Sequence, residues 1–390
     1  MRKKILAVLL LSLAVGSMAA LARGGSSSRT CPRPPALDAR FDSAPLIQLA
    51  ILLDTSNSMD GLIDQARGQL WKVVNEFARA RRAGRAARLE VALYEYGNNR
   101  LSPASGWVRR VLPFTSDLDR VSQELFALTT LGGDEYCGTV IQTALAELAW
   151  SDSPADLRVV FIAGNEPFTQ GPVAFRGVCR RAADKGITVN TIHCGSREEG
   201  ERTGWKEGAL IAFGAYSTID QNRVVEHIDA PQDVEISRLG GELNKTYLPY
   251  GAQGRDGQSR QEAQDKNAMG AGRGSATSRA VTKANRFYSN SGWDLVDAVK
   301  GNEVDVSAVK KDDLPAEMQK LEMQERKAYV LGKAKERERL QGEINRLNAD
   351  RERYVAEARK KTGPAKDETL DVAMTLVLRD QASCHGIELQ

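Results

Sequence analysis

The sequence predicts an α/β fold: a doubly wound, mostly parallel sheet with one antiparallel edge strand, followed by an α-helical C-terminal region. Two observations lead to this prediction. Between residues 46 and 250, short apolar runs rich in β-branched residues alternate with longer segments of helical period. One pair of runs is joined only by the turn-rich segment GNNRLSPASG, which predicts a hairpin and hence one antiparallel edge strand.

Each predicted strand is followed, with that one exception, by a predicted helix. The strands are expected at 46–53, 89–96, 107–114, 158–163, 188–193 and, with a weaker pattern, 215–219. The helices are expected at 60–82, 117–128, 138–149, 172–185, 202–212 and 232–246. Strands of a parallel sheet are buried on both faces, which explains why these runs are almost continuously apolar.

The first 22 residues have the pattern of a secretory signal peptide. Three basic residues precede the apolar stretch 5–15, and a small-residue site at 20–22 follows. The apolar stretch is shorter than the roughly 20 residues that span a bilayer, and no other segment is long and apolar enough. We therefore expect cleavage after Ala22 and a periplasmic or secreted protein without a transmembrane segment.

The charge balance gives no case for a nucleic-acid partner. The whole chain has a formal charge of +3, and the signal segment holds three basic and no acidic residues, so the mature chain is neutral. Proteins that bind nucleic acids neutralise phosphates with an excess of basic side chains.

Outside the alternating region the chain is expected to form linkers and helices. Residues 23–43 are rich in Gly, Ser, Arg and Pro and are expected to be a linker, since they can bury little apolar surface. Residues 251–280 are rich in Gly, Gln, Ser and Arg and are expected to form a linker or a loosely packed helix. Residues 281–390 are expected to be helical, with a long charged run at 312–361 and a last helix at 367–384.

Apolar residues in the long charged run have a four–three spacing that favours a helical hairpin or a short coiled coil. These residues are Leu340, Ile344, Leu347, Tyr354 and Ala358. The C-terminal helices are expected either to pack on themselves or to serve as a surface for self-association or partner binding.

The first predicted strand ends in a run of oxygen-bearing side chains, LAILLDTSNSMDG. In an open, mostly parallel sheet, ligands bind at the carboxyl ends of the strands. Asp54, Ser56 and Ser58 offer one charged and two neutral oxygen ligands there. Such ligands suit Mg²⁺, or Mn²⁺ or Ca²⁺, better than zinc, which favours His and Cys. The alternative is that Asp54 and Ser58 cap the helix that begins near residue 60.

With these residues the chain resembles the von Willebrand factor A domain, also called the integrin I-type domain, over residues 44–250. Residues 54–58 match the D-x-S-x-S first loop of that family's metal ion-dependent adhesion site. The resemblance implies two further metal loops, which correspond to TTLGGDEYCGTVIQTAL and VVFIAGNEPF. Asp134 stands where the family has a threonine and Asn165 where it has an aspartate, so the site keeps two carboxylates but moves one of them.

The resemblance implies a metal-dependent, adhesion-type protein interaction module in the cell envelope, and not an enzyme. In the family, an open position on the cation takes a carboxylate from a partner protein, so the implied partner is an acidic side chain of another protein. Asp54 and Asp134 would be costly to bury together without a cation. Glu135 and Glu166 stand beside the candidate ligands and are possible replacements.

Two other functions are alternatives. One is a metal-free scaffold protein that associates through its C-terminal helices. The other is a hydrolase, which the sequence disfavours because it has only three histidines and no nucleophile-elbow or phosphate-binding glycine motif.

Five cysteines remain in the mature chain, in a compartment where disulfides form: Cys31, Cys137, Cys179, Cys194 and Cys384. The odd number leaves at least one thiol free or paired outside the chain. Helix and strand rises place Cys179 and Cys194 about 10 Å apart in height, which disfavours their pairing. A Cys137–Cys194 bridge is preferred, with buried free thiols as an equal alternative. A zinc cluster with His193 is disfavoured because closely spaced ligand pairs are absent.

Overall fold

The computed structural model describes residues 44–77, 79–223, 227–362 and 369–389. The predicted signal peptide and the predicted linker at 23–43 lie outside these residues. The described strands are β1 (Leu46–Asp54), β2 (Ala80–Arg82), β3 (Arg85–Ala86), β4 (Arg88–Tyr96), β5 (Val108–Thr115), β6 (Leu157–Gly164), β7 (Thr188–Cys194), β8 (Tyr216–Ile219) and β9 (Glu388–Leu389). The described α-helices are α1 (Asp60–Phe77), α2 (Leu118–Ala127), α3 (Cys137–Glu147), α4 (Phe175–Asp184), α5 (Arg197–Arg202), α6 (Trp205–Ile211), α7 (Asp233–Asn244), α8 (Gly254–Gly270), α9 (Arg273–Lys283), α10 (Leu295–Lys300), α11 (Met323–Thr362) and α12 (Leu370–Cys384).

The N-terminal half of the fold contains a six-stranded sheet with the strand order β5–β4–β1–β6–β7–β8. Neighbouring strands are parallel except β4 and β5, which form the antiparallel edge. The predicted fold class is confirmed, and each of the six predicted strands begins and ends within one residue of its expected bounds.

Helices cover both faces of this sheet. On one face, α1, α2 and α12 bury side chains such as Trp71, Leu125 and Met374 against the strands. On the other face, α3, α4 and α6 bury side chains such as Ile141 and Trp205. Burying an apolar side chain of this size contributes about 1.5–3 kcal/mol, so two apolar layers stabilise strands that have almost no polar positions.

The last helix packs on the sheet instead of on the other C-terminal helices. The C-terminal region is helical, as expected, but α12 places Leu370, Val377 and Leu378 in the same apolar cluster as α1. Lys72 of α1 also forms an ion pair with the buried Asp371. The apolar face of α12 covers a flank of the sheet that α1 and α2 leave open.

The glycine-rich stretch 251–280, expected to be a linker or a loose helix, contains α8 and most of α9. Helix α9 lies against α1, where the Asn75 side chain donates to a backbone carbonyl of α9 at 2.9 Å. Arg279 of α9 forms ion pairs with Asp119 at 2.6 Å and Asp265 at 2.8 Å. Polar contacts therefore hold this stretch, and a hydrophobic pattern does not reveal them.

The long charged run forms one 40-residue helix, α11, and not a helical hairpin. Leu340, Ile344 and Leu347 pack into an apolar cluster with α7 and α9. At these positions the four–three pattern therefore reflects packing within one chain. Tyr354 is 43% exposed. Self-association through this helix stays a prediction. None of the described helices is both long enough and apolar enough to cross a membrane.

Cys137, Cys179 and Cys194 are buried free thiols. Cys137 and Cys179 belong to the apolar cluster on the α3 and α4 face, whereas Cys194 belongs to the cluster on the opposite face. The preferred Cys137–Cys194 bridge is therefore wrong, because the sheet separates the two side chains. Burial raises the pKa of all three thiols, so they are protonated at neutral pH.

Candidate functional site

The candidate site lies at the carboxyl edge of the sheet, where β1 ends. β1 is flanked by β4 on one side and by β6 on the other, so the chain order reverses at this strand. The register aligns Asp54 with Tyr96 at the end of β4, and Leu53 with Ala163 near the end of β6. The loops after three neighbouring strands therefore open at one topological switch point, where open α/β sheets bind ligands.

The first loop holds its polar side chains against one another. Asp54 is fully buried, and its Oδ1 accepts a hydrogen bond from the Ser56 amide at 2.8 Å. The hydroxyls of Ser56 and Ser58 lie 3.1 Å apart, and Ser58 Oγ donates to Asn165 Oδ1 at 3.4 Å. Among the described residues, the side chains of Asp54 and Ser58 make no bond to the first amides of α1, so the capping alternative has no support here.

The second loop of the site, which connects α2 to α3, brings Glu135 beside Asp54. Glu135 is 6% exposed. A Cβ atom built on Gly97 would lie 2.6 Å from Glu135 Cγ and 2.9 Å from Asp54 Oδ1, so both acids flank this glycine. Its φ of 80° also favours glycine. The structure therefore identifies Glu135 as the second buried carboxylate, a residue that the sequence indicated only as a replacement ligand.

Asp134 lies on the exposed rim of the same loop. Its Oδ2 accepts hydrogen bonds from Trp107 Nε1 at 3.3 Å and from Tyr136 Oη at 3.2 Å. Its role as a metal ligand stays a prediction, since its carboxylate is turned toward these two aromatic side chains.

The third loop begins where β6 ends. A Cβ atom on Gly164 would lie 2.9 Å from Asp54 Oδ2 and 2.5 Å from Tyr96 Oη, so glycine is required to leave room for both. The backbone of Asn165 lowers the pKa of Asp54 and so opposes the effect of burial. Glu166 is exposed, and its charge raises the pKa of both buried acids.

Two buried carboxylate oxygens of this site have no hydrogen-bond partner in the part of the chain that the structure describes: Asp54 Oδ2 and Glu135 Oε2. Burial raises the pKa of Asp54 to about 7. Burial, and then the charge of Asp54, raises the pKa of Glu135 to about 8. The hydrogen bond from the Ser56 amide opposes the rise in the pKa of Asp54, and the Ser56 side chain opposes the rise in the pKa of Glu135. Two adjacent buried acids are costly unless a proton or a cation lies between them.

The donor set fits a hard divalent cation. Two carboxylates, two serine hydroxyls and one amide oxygen lie together in these loops, and oxygen ligands of this kind bind Mg²⁺, Mn²⁺ or Ca²⁺. The same loops contain no histidine, and the one cysteine among them, Cys137, points into an apolar cluster. These loops therefore offer no ligand of the kind that soft metals prefer.

The raised pKa values predict how the metal-free protein responds to pH. In the unfolded chain these acids titrate near their ordinary pKa values of about 3.9 and 4.3. In the folded chain the two acids keep their protons up to pKa values of about 7 and 8. Between about pH 4 and about pH 8 the folded chain therefore binds more protons than the unfolded chain. Stability in the presence of a chelator should therefore fall by several kcal/mol as pH rises from about 5 to about 8.

Urea unfolding in EDTA at a series of pH values measures this fall. The double variant Asp54→Asn/Glu135→Gln is the control, since it removes both titrating groups and should have a flatter pH profile. Parallel profiles for the wild-type protein and the double variant would contradict the prediction.

An open, mostly parallel sheet with acid, hydroxyl and amide oxygens at its switch point defines a class of α/β domains with a polar site at the carboxyl edge of the sheet. Within that class, residues 48–204 match the family model of the von Willebrand factor type A domain. Domains of this family are typically metal-dependent protein–protein interaction modules. No curated protein sequence matches the chain.

Several solved structures are similar to part of the chain. The conserved hypothetical protein BatB from Bacteroides thetaiotaomicron is 18% identical, with 45% of this chain and 90% of BatB covered at a TM-score of 0.35. The von Willebrand factor domain of the type V pili tip protein Mfa5 from Porphyromonas gingivalis is 13% identical, with 45% and 90% covered at a TM-score of 0.33. Proximal thread matrix protein 1 from the mussel byssus, with a zinc-occupied MIDAS motif, is 13% identical. The match covers 45% of this chain and 42% of the mussel protein at a TM-score of 0.34. These likenesses are too distant to bear on what this chain binds.

Proposed function

We propose that this protein binds a divalent cation at the edge of its sheet and, through that cation, an acidic side chain of another protein in the cell envelope. The observation that carries the proposal is the pair of buried, unpaired oxygens, Asp54 Oδ2 and Glu135 Oε2. The signal-peptide pattern in residues 1–22 supports an exported protein.

Five side chains would hold the cation, with Asp134 at the rim as a sixth candidate: Asp54, Ser56, Ser58, Glu135 and Asn165. When bound, the cation would supply a position that accepts a carboxylate oxygen from a partner. The buried acids neutralise the cation from below, while the hydroxyls and the amide keep the remaining ligands uncharged. The hydroxyls and the amide add no charge of their own, so a carboxylate oxygen would bind the open position of the cation more strongly than a neutral oxygen would.

Adding Mg²⁺ or Mn²⁺ is expected to raise the melting temperature of the chelated protein. A ligand that binds only the native state at about a hundredfold above its dissociation constant stabilises that state by about 2.7 kcal/mol. The variant Asp54→Ala should lose this stabilisation. The control variant Asp64→Ala should keep it, since that side chain is 73% exposed on α1. Equal melting temperatures in EDTA, Mg²⁺, Mn²⁺ and Ca²⁺ would contradict the proposed cation site.

The partner half of the proposal needs a separate experiment. Envelope proteins retained on the immobilised wild-type chain in Mg²⁺, released by EDTA and absent from an Asp54→Ala column are candidate partners. In a true partner, changing one Glu or Asp to its amide should abolish retention, because the amide does not offer an anionic oxygen to the cation. Retention that survives EDTA would contradict bridging by a cation.

A further inference from the structure

A second cleft, of about 590 Å³, lies between α1, the start of α9, α11 and α12. We call it the basic cleft, because six basic side chains and only two acidic ones line it: Lys72, Arg79, Arg273, Arg351, Arg359 and Arg379 against Glu76 and Glu352. We propose that the basic cleft binds a phosphate-type oxyanion, either of a free phosphate compound or of a lipid headgroup. This inference does not depend on the cation site.

The N-terminus of α9 forms one wall of the basic cleft. Gly272 precedes the helix with a φ of 115° and no side chain caps the helix. Among the described residues, the amides of Arg273, Gly274 and Ser275 have no hydrogen-bond acceptor, and all three residues line the cleft. Free amides at the positive end of a helix dipole bind oxyanions, and a glycine-rich approach lets an anion reach them.

Two buried hydroxyls independently indicate a ligand. Ser275 and Thr277 are 5% and 1% exposed, and both line the basic cleft. Ser275 Oγ and Thr277 Oγ1 have no hydrogen-bond partner in the described part of the chain. Buried hydroxyls are normally paired, and a tetrahedral oxyanion offers acceptor oxygens to a hydroxyl and to the helix amides together.

Two of the basic side chains of the cleft, Arg379 and Arg273, form only exposed ion pairs and can turn toward a ligand. Arg379 pairs with Glu76 and is 54% exposed, while Arg273 is 81% exposed and 3.6 Å from Asp229. Exposed ion pairs are worth about 0–1 kcal/mol, so an oxyanion with more than one charge can compete for these guanidinium groups.

A cation is a poorer fit to the same region. His227, Asp229 and Asp233 place one ligand atom each within 4.8 Å of one another. However, Arg351 already lies 2.5 Å from Asp233, and Arg273 pairs with Asp229. A cation at these acids would have to displace both arginines, whereas an oxyanion would not.

Inorganic phosphate tests the proposal, by isothermal calorimetry and thermal melts of the full chain at constant ionic strength. We expect saturable binding and a melting temperature above that in chloride. The double variant Arg273→Gln/Arg379→Gln should bind phosphate at least about tenfold more weakly. Ser275→Ala, which removes only the unpaired hydroxyl, should also weaken binding. Arg176→Gln is the matched control, since Arg176 forms a comparable exposed pair with Glu207 outside the cleft.

Phosphatidylcholine vesicles with and without phosphatidylglycerol distinguish the two sources of the oxyanion. Retention only on vesicles with phosphatidylglycerol, lost in the arginine double variant, supports a lipid headgroup. Phosphate binding without vesicle retention supports a free phosphate compound. Phosphate that stabilises the protein no more than chloride, or equal weakening in Arg176→Gln and the double variant, would overturn the proposal.

Discussion

Replacing Arg279 with methionine is expected to destabilise the protein by about 3–5 kcal/mol. Arg279 is 2% exposed, forms ion pairs with Asp119 and Asp265, and stacks on the Trp71 ring at 4.4 Å. Methionine fills much of the same volume, but among the described residues it leaves the buried Asp119 carboxylate with only the Tyr288 hydroxyl as a donor. An uncompensated buried charge costs more than the apolar contacts that methionine retains.

Urea unfolding at neutral pH measures this loss, and Arg238→Met is the matched control. Arg238 forms an ion pair with Glu235 on an exposed face of α7, and such pairs contribute about 0–1 kcal/mol. Adding Asp119→Asn to Arg279→Met should restore much of the stability, because it removes the stranded charge and keeps an acceptor for Tyr288. A loss in Arg279→Met no larger than in Arg238→Met would show that this network is not a buried one.

The strands were predictable from the sequence because a parallel sheet buries both faces of each strand. Runs such as 46–53 and 158–163 have no polar alternation to obscure their ends, and the observed strands differ from the predicted ones by one residue. The end of the first helix was not predictable. The helical pattern continues to residue 82, but α1 ends at Phe77. The next residues form β2, which pairs with the adjacent β3 and with β9, a strand more than 300 residues later in the sequence.

The helices α8 and α9 were hidden for a different reason. Their buried positions include Gln261, Gln264, Arg279 and Lys283, which hydrophobic periodicity counts as exposed. Gly257 lies where a Cβ atom would come within 2.2 Å of Trp293, so it permits close packing at the expense of helix propensity. Tertiary contacts thus determine these helices, and a single sequence does not show which polar residues are paired.

Half of the proposed cation site was predictable from the sequence. Asp54, Ser56 and Ser58 lie in one loop directly after a strand, so their proximity follows from local sequence and the switch-point rule. Asp134 and Glu135 are adjacent in an irregular loop, and neighbouring side chains in extended backbone point to opposite sides. Position in the sequence therefore does not decide which acid is turned inward; the close approach of Glu135 to Gly97 does.

This difference between the two acids leads to the second large effect. In EDTA near pH 8, Glu135→Gln is expected to be more stable than the wild-type protein. The amide removes a buried charge beside Asp54, and burial together with Asp54 is what raises the pKa of Glu135. In saturating Mn²⁺ the order should reverse. Losing an outer-shell partner already costs about 10–100-fold in metal affinity, so losing a carboxylate ligand should cost at least about 100-fold.

Asp134→Asn is the matched control for this reversal, since it makes the same chemical change one residue away. Asparagine keeps an acceptor oxygen for Trp107 and Tyr136, and the exposed carboxylate carries no burial cost to relieve. We therefore expect Asp134→Asn to follow the wild-type protein in both EDTA and Mn²⁺. Loss of the Mn²⁺ effect in Asp134→Asn but not in Glu135→Gln would identify Asp134 as the second carboxylate ligand. The loop between α2 and α3 would then have to change conformation when the cation binds. If both variants kept the Mn²⁺ effect, neither acid would be a ligand, and the unpaired oxygen of Glu135 would need another partner.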